Sequence, residues 1–231
     1  MRQIFLDTET TGLNADQGDR VVELACVEMI NRKLTGNNLH FYLNPQRDSH
    51  EDALRIHGLT TEFLSDKPLF EAVVEEWLAY VQDAEIIIHN AAFDVGFLNA
   101  ELKRCGKLAF KEYVPKVIDS LVMAKEMYPG KRNNLNALCE RLDVDNSGRT
   151  LHGALLDAEL LADVYINMTR GQHALLMDSA EPPKPVGIQV QNLDWSGIQL
   201  PVLQANAEEL EAHEQAMQDI NKASGGKAVW Q

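Results

Sequence analysis

Gln3-Ile4-Phe5-Leu6-Asp7-Thr8-Glu9-Thr10-Thr11-Gly12 is an apolar run that delivers two carboxylates and then turns. Successive side chains of a strand point to opposite faces, so Asp7 and Glu9 project from one face about 7 Å apart along the chain. Two like charges held this way resist ionising together unless a proton or a cation lies between them. The stretch therefore reads as a strand whose end asks for a counter-ion, and the rest of the chain is read for groups that share it.

Two further strands follow closely. Val21 to Ile30 reads as a long strand and Leu39 to Leu43 as a third, separated by the Asn37-Asn38 turn. Such short spacings favour an antiparallel meander over crossovers. Helical signals then begin. Ser49 and Asp52 read as a capping box ahead of Ala53, Leu54 and Ile56, with Gly58 as the stop. After Pro68, Leu69, Phe70, Val73, Val74, Trp77, Leu78 and Val81 recur at helical spacing and form a core stripe. Glu85 to His89 is an uninterrupted apolar run, which predicts a strand buried on both faces.

Directly behind that strand, Asn90 to Leu98 opens a helix running to Gly106 and carries Asp94. Ligands in open α/β sheets gather where strands end and helices start, so Asp94 arrives at the same kind of position as Glu9. A short strand at Val117-Ile118 and helices over Leu121 to Met127 and Leu135 to Leu142 come next. The last long helix runs to about Met168. In it Ala154, Asp157, Ala158, Leu161 and Tyr165 share one side, which sets Asp157 into an apolar stripe where it wants a partner. His152, less than two turns away, is placed to face the same cavity.

Four carboxylates from three places, Asp7, Glu9, Asp94 and Asp157, can thus meet at one sheet edge with an imidazole beside them. Hard oxygen ligands in this number suit two divalent ions, Mg²⁺ or Mn²⁺, of the kind that promote in-line displacement at phosphorus. Imidazole changes protonation near neutral pH, so His152 suits a general base. No Gly-x-x-x-x-Gly-Lys, Gly-x-Ser-x-Gly or His-Glu-x-x-His sequence supports a competing chemistry.

The net charge of -14 argues against a protein that holds nucleic acid by surface electrostatics alone. Metal ions and partner proteins would have to supply that attraction. Cys26, Cys105 and Cys139 are odd in number and widely spaced, which predicts neither disulfides nor a cysteine zinc site and suits a reducing cytoplasm. No stretch approaches a membrane span, and no export signal is expected. Beyond Arg170 the composition shifts. Glu181-Pro182-Pro183-Lys184-Pro185 reads as linker, Gly187 to Gln191 and Ile198 to Leu203 as weak strand-like stretches, and Ala207 to about Ile220 as an acidic helical segment. A tail with so little core of its own is expected to order on a partner. The organisation is read as residues 1–170, a catalytic domain; 171–186, a short motif and linker; and 187–231, a partner-binding tail.

The runs FLDTETTGL (5–13), HNAAFDVGFL (89–98) and RTLHGALLDAE (149–159) together resemble the three motifs of the DEDDh family of 3′→5′ exonucleases. The resemblance spans residues 1 to about 170, and His rather than Tyr at 152 points to the His branch. It implies an α/β fold of the ribonuclease H type: a mixed sheet of antiparallel meander plus parallel strands, flanked by helices, here with a largely extended C-terminal tail. It makes Asp7, Glu9, Asp94 and Asp157 the metal ligands and His152 the base. Thr8, Thr10, Leu13, His57, Asn90 and Phe93 match positions that line the terminal-nucleotide pocket, which takes a single-stranded 3′ end of DNA. The tail is similar to that of proofreading members. Gln172, Leu175, Leu176 and Met177 resemble a short sliding-clamp-binding motif, with Met where Phe is usual. The segment around Ala212-His213-Glu214, ending in Gly225-Gly226 and Trp230, resembles one that docks on a polymerase catalytic subunit. An RNA-processing exonuclease of the same superfamily would share the core motifs, and a non-catalytic scaffold with a vestigial acidic site is the remaining alternative.

Overall fold

The computed structural model describes residues 1–149, 151–170 and 205–225. Backbone contacts divide the chain into two units, Met1–Ser179 and Ala180–Gln231. The first holds a six-stranded sheet: β1 (Arg2–Thr10), β2 (Val21–Ile30), β3 (Lys33–Leu34), β4 (Leu39–Tyr42), β5 (Glu85–Ile88) and β6 (Lys116–Asp119). Around it lie α1 (Glu51–His57), α2 (Thr61–Leu64), α3 (Phe70–Val81), α4 (Ala91–Arg104), α5 (Ser120–Met127), α6 (Leu135–Leu142) and α7 (Ala154–Met168).

The expected meander is present. β2 pairs antiparallel with both β1 and β4, while β5 and β6 add to the other side of β1 in parallel register. The sheet order is β3-β2-β1-β5-β6, with β4 also on β2. The additional strand β3 follows β2 through Asn31 and Arg32, both at positive φ, a two-residue hairpin turn that the sequence does not signal because Asn-Arg lacks the usual glycine.

Alternation along β1 and β5 divides the core. Ile4, Leu6, Ile86 and Ile88 pack with Val73, Val74 and Trp77 of α3 and with Phe97 and Leu98 of α4. Phe5 and Ile87 pack on the opposite face with Leu138 of α6 and with Ala158, Leu161 and Tyr165 of α7. By the same period of two, Asp7 and Glu9 stand on the face that α7 covers. The α3 stripe and the doubly buried β5 run are as read from the sequence.

The start of α1 differs from expectation. His50, not Ser49, is its N-cap, no side chain caps it, and its buried residue is His57 while Ile56 is exposed. At seven residues α1 is too short to carry a full buried stripe, and Ala53 and Leu54 are only half-buried.

In the second unit α8 (Ala207–Ala223) occupies the acidic segment expected to be helical. Asn206 accepts from the backbone N–H of Glu209, and the Glu209 carboxylate accepts from the N–H of Asn206, a complete capping box. Its residues bury nothing. The stretches Gly187 to Gln191 and Ile198 to Leu203, the residues Gln172, Leu175, Leu176 and Met177, and Trp230 lie outside the described residues. Among the described residues, no helix is long and apolar enough to cross a membrane.

Candidate active site

The carboxyl ends of the parallel strands β1 and β5 build the site. β1 delivers Asp7 and Glu9; β5 ends at Ile88 and the first turn of α4 brings Asp94. Asn90, the N-cap of α4, has φ 68°, and this left-handed residue turns the chain from strand to helix within one step. Asp119 secures the turn. Its carboxylate accepts from the backbone N–H groups of Asn90 and Ala91 at 3.2 and 3.0 Å and also caps α5 through Leu121 and Val122. The motif reading missed Asp119, although an Asp directly before a helix start is an N-cap signal.

α7 supplies the fourth carboxylate. Asp157 lies in the first turn of α7 and is buried, as its place in the apolar stripe requires. The partner it wants is chiefly Arg149, which the sequence reading did not single out. Nε and Nη2 of Arg149 each lie 2.5 Å from an oxygen of Asp157, a two-point fork between side chains only 7% and 6% exposed. His152 is exposed, with Nδ1 3.4 Å from Asp157 and 2.9 Å from Arg149 Nη2. Its backbone N–H donates to the carbonyl of Ile56, tying the loop before α7 to α1. A signal for Arg149 was present: a carboxylate set in an apolar stripe is expected to be paired, and Arg149 stands eight residues before it in the same motif.

The charges are unevenly compensated. Glu9 is 8% exposed, and no hydrogen bond reaches its side chain among the described residues. Burial, then the nearby Asp157 and Glu23, push its carboxyl up to about 8. Asp7 is raised well above the ordinary range by burial and by Asp94, Asp157 and Glu9. Burial also raises Asp94 to about 7, against the hydrogen bonds from Thr8 that pull it down. Asp157 goes the other way: burial opposes its ionisation, but the neighbouring His152 and the fork from Arg149 hold its carboxyl below the usual range. Clustered oxygen donors of this kind, with Asp7 and Glu9 lacking a side-chain hydrogen bond among the described residues, fit divalent cations, which would remove the cost of ionising Asp7, Glu9 and Asp94 together. Carboxylate oxygens of Glu9 and Asp157 and a ring nitrogen of His152 already lie within 4.8 Å of one another.

Two cavities meet here. One, of about 640 Å³, is lined by Asp7, Glu9, Asp94, Asp157, Arg149, His152, Asn90 and Phe93. The other, of about 450 Å³, is lined by Thr8, Thr10, Leu13, His57 and Phe93. Leu13 and Phe93 face both, and Leu13 is 85% exposed. Within this set Thr8 and Thr10 spend their hydroxyls internally, Thr8 on Asp94 at 2.7 Å and Thr10 on the carbonyl of Gly12 at 2.7 Å. His57 is buried, and its Nδ1 accepts from the N–H of Leu59.

A family model described as "Exonuclease" matches residues 4–165. The DNA polymerase III subunit epsilon of Pasteurella multocida is 50% identical over 100% of this chain and 93% of its own length. That of Escherichia coli is 45% identical over 99% of this chain and 97% of its own. Among solved structures, Exonuclease X in complex with 5′ overhanging duplex DNA is similar at 25% identity and a TM-score of 0.55, over 72% of this chain and 90% of that one. The nuclease domain of 3′hExo, a DEDDh family member bound to rAMP, shares the fold at 16% identity and a TM-score of 0.62, over 77% of this chain and 92% of that one.

Proposed function

Because the chain belongs to the exonuclease family, with DNA polymerase III epsilon subunits as relatives over nearly its whole length, we propose that its acidic cleft does the chemistry of proofreading. It is a 3′→5′ exonuclease that depends on divalent metal. In our reading Asp7, Glu9, Asp94 and Asp157 hold two ions, Mg²⁺ or Mn²⁺, and the terminal phosphodiester of a single-stranded 3′ end of DNA is hydrolysed to release a nucleoside 5′-monophosphate. The observation that carries this is the convergence of the four carboxylates on one cavity, with Glu9 buried and unpaired.

Bound divalent cations would supply neutralisation of the carboxylates, stabilisation of the charge that builds on the phosphoryl and leaving oxygens, and activation of the attacking water. The chain's own residues do the rest. Thr8 fixes Asp94, and Asp119 fixes the strand-to-helix turn that presents it. Phe93 and Leu13 offer apolar faces where the two cavities meet, suited to the terminal base and sugar, while His57 and Thr10 line the far side. His152 takes the proton of the attacking water as general base.

Residues 1–170 form the catalytic domain in this reading, 171–186 a motif and linker, and 187–231 a tail for partners. The tail, including the exposed helix α8, docks on the polymerase catalytic subunit, and Gln172, Leu175, Leu176 and Met177 engage the sliding clamp. The protein acts in the cytoplasm. Digestion of a 3′-mismatched primer-template in Mg²⁺, with and without the polymerase subunit, tests this. We expect monophosphate release that the polymerase accelerates on the mismatch and that Asp7→Ala abolishes. Full activity of Asp7→Ala would overturn the ligand assignment, and preference for RNA ends with no polymerase stimulation would move the protein to RNA trimming.

A further inference from the structure

We propose that Arg149 is a resident counter-ion that competes with divalent cations for Asp157 and occupies His152 Nδ1, so that metal loading and release of the base are coupled. The inference rests on the reading of Asp157 as a metal ligand.

The geometry is that of an occupied site. Nε and Nη2 of Arg149 engage both oxygens of Asp157 at 2.5 Å, and Nη1 is anchored on Asn136 Oδ1 at 2.7 Å. Nη2 also lies 2.9 Å from Nδ1 of His152. A guanidinium can only donate, so Nδ1 must be the acceptor and the ring must carry its proton on Nε2. A neutral imidazole in this state has its Nδ1 lone pair engaged and unavailable to a water on that side. Asp157 is in the same position: both its oxygens already face a positive charge. A divalent cation entering there meets a buried cation at short range, and the guanidinium has to yield.

The arrangement also separates Asp157 from its neighbours. Asp7 and Glu9 have no side-chain partner among the described residues, whereas Asp157 is fully paired. Arg149 is the one Arg or Lys among the described residues that line this cavity. Once displaced from Asp157 it is the cation available there to an incoming phosphodiester. Guanidinium stays charged at every working pH, so Arg149 is present as a cation throughout. Arg149 is thus a positioning residue acting through Asp157 and His152.

The test is a Mn²⁺ titration of the full chain at fixed ionic strength by calorimetry, comparing wild type with Arg149→Gln, Arg149→Lys and Asp157→Asn, with folding checked by circular dichroism. We expect Arg149→Gln to bind Mn²⁺ about tenfold more tightly, the scale of effects from groups that contact metal ligands. Arg149→Lys should fall between, since an ammonium cannot hold the two-point fork. In parallel, Mg²⁺ should move the His152 Nδ1 nitrogen resonance in wild type and move it less in Arg149→Gln. Unchanged or weaker Mn²⁺ binding in Arg149→Gln overturns the proposal; if that variant is unfolded, unchanged or weaker binding in Arg149→Lys does so. Wild-type binding that Asp157→Asn leaves intact overturns the ligand assignment itself, and the competition falls with it.

Discussion

The hydroxyl of Thr8 and its backbone N–H converge on a single oxygen of Asp94, at 2.7 and 3.1 Å. Thr8 sits between Asp7 and Glu9 but faces the other side of β1, so one strand supplies two carboxylates on one face and the support for a third on the other. Thr8→Val keeps the shape and the backbone donor while removing the hydroxyl. We expect about a tenfold loss of Mn²⁺ affinity, the low end of what such supporting hydrogen bonds contribute. Calorimetric titration beside a melting curve checks it: a changed melting temperature with unchanged metal affinity would make Thr8 structural only.

Gly12 is held between the ring of His50 and the carboxylate of Asp19, and a Cβ at this position would overlap both. Those two groups are themselves joined at 3.1 Å, and Asp19 also accepts from the N–H of Asn14 and the hydroxyl of Thr11. Gly12→Ala must therefore open the network that fixes the loop carrying Leu13. We expect a cost of about 1–3 kcal/mol, and a KM for single-stranded DNA that rises more than kcat falls, because Leu13 lines both cavities. Steady-state kinetics with a melting curve separate the two effects.

Much of this was legible before the structure, for physical reasons. Period-two and period-3.6 patterns report which face is buried, so β1, β5, α3 and the placement of Asp157 in α7 could be read directly. Local pairings could not. The motif around His152 suggested an imidazole as the companion of Asp157, yet the shorter and doubled contact is from Arg149, whose long side chain folds back along the loop in a way no spacing rule encodes. Asp119 escaped for a similar reason, since its link to Asn90 and Ala91 spans strands that only the sheet brings together. The β3 hairpin depends on positive φ at Asn31 and Arg32, a conformation neither residue demands.

Glu9 gives the metal-free protein a pH dependence of definite sign. Its carboxyl moves from an ordinary 4.5 to about 8 in the fold, so between these values the folded state keeps a proton that the unfolded chain releases. Stability without metal must then fall as pH rises through that window and level off above it. Asp94, raised to about 7, adds a slope of the same sign. In EDTA we expect the melting temperature to decline from pH 5 to 8 and Glu9→Gln to decline less, gaining about 2–4 °C over wild type at pH 8 for each kcal/mol relieved. A difference between the two proteins that does not vary with pH would show that Glu9 is not the group responsible.

The anchor of α4 predicts a change in stability that should leave the chemistry alone. Glu101 is 1% exposed, and Arg20 forks onto it at 2.6 and 2.8 Å while the N–H of Val21 adds a third contact at 3.3 Å. These bonds tie the C-terminal part of α4 to the start of β2, seven residues beyond Asp94 on the same helix. Arg20→Met strips the carboxylate of its main partner, though Arg104 remains 3.4 Å away. The cost should therefore be near the low end for breaking a buried pair, about 3 kcal/mol, or a drop in melting temperature of about 6–12 °C. Replacing both residues, Arg20→Met with Glu101→Met, should recover most of it, because the loss comes from stranding a charge rather than from the absence of the pair. Asp94 itself is held by Thr8 and by the turn that Asp119 secures, so below the melting transition the rate per folded molecule should stay within about twofold of wild type, as expected for a site distant from the change. A larger fall in kcat would mean that Glu101, through α4, sets the position of Asp94.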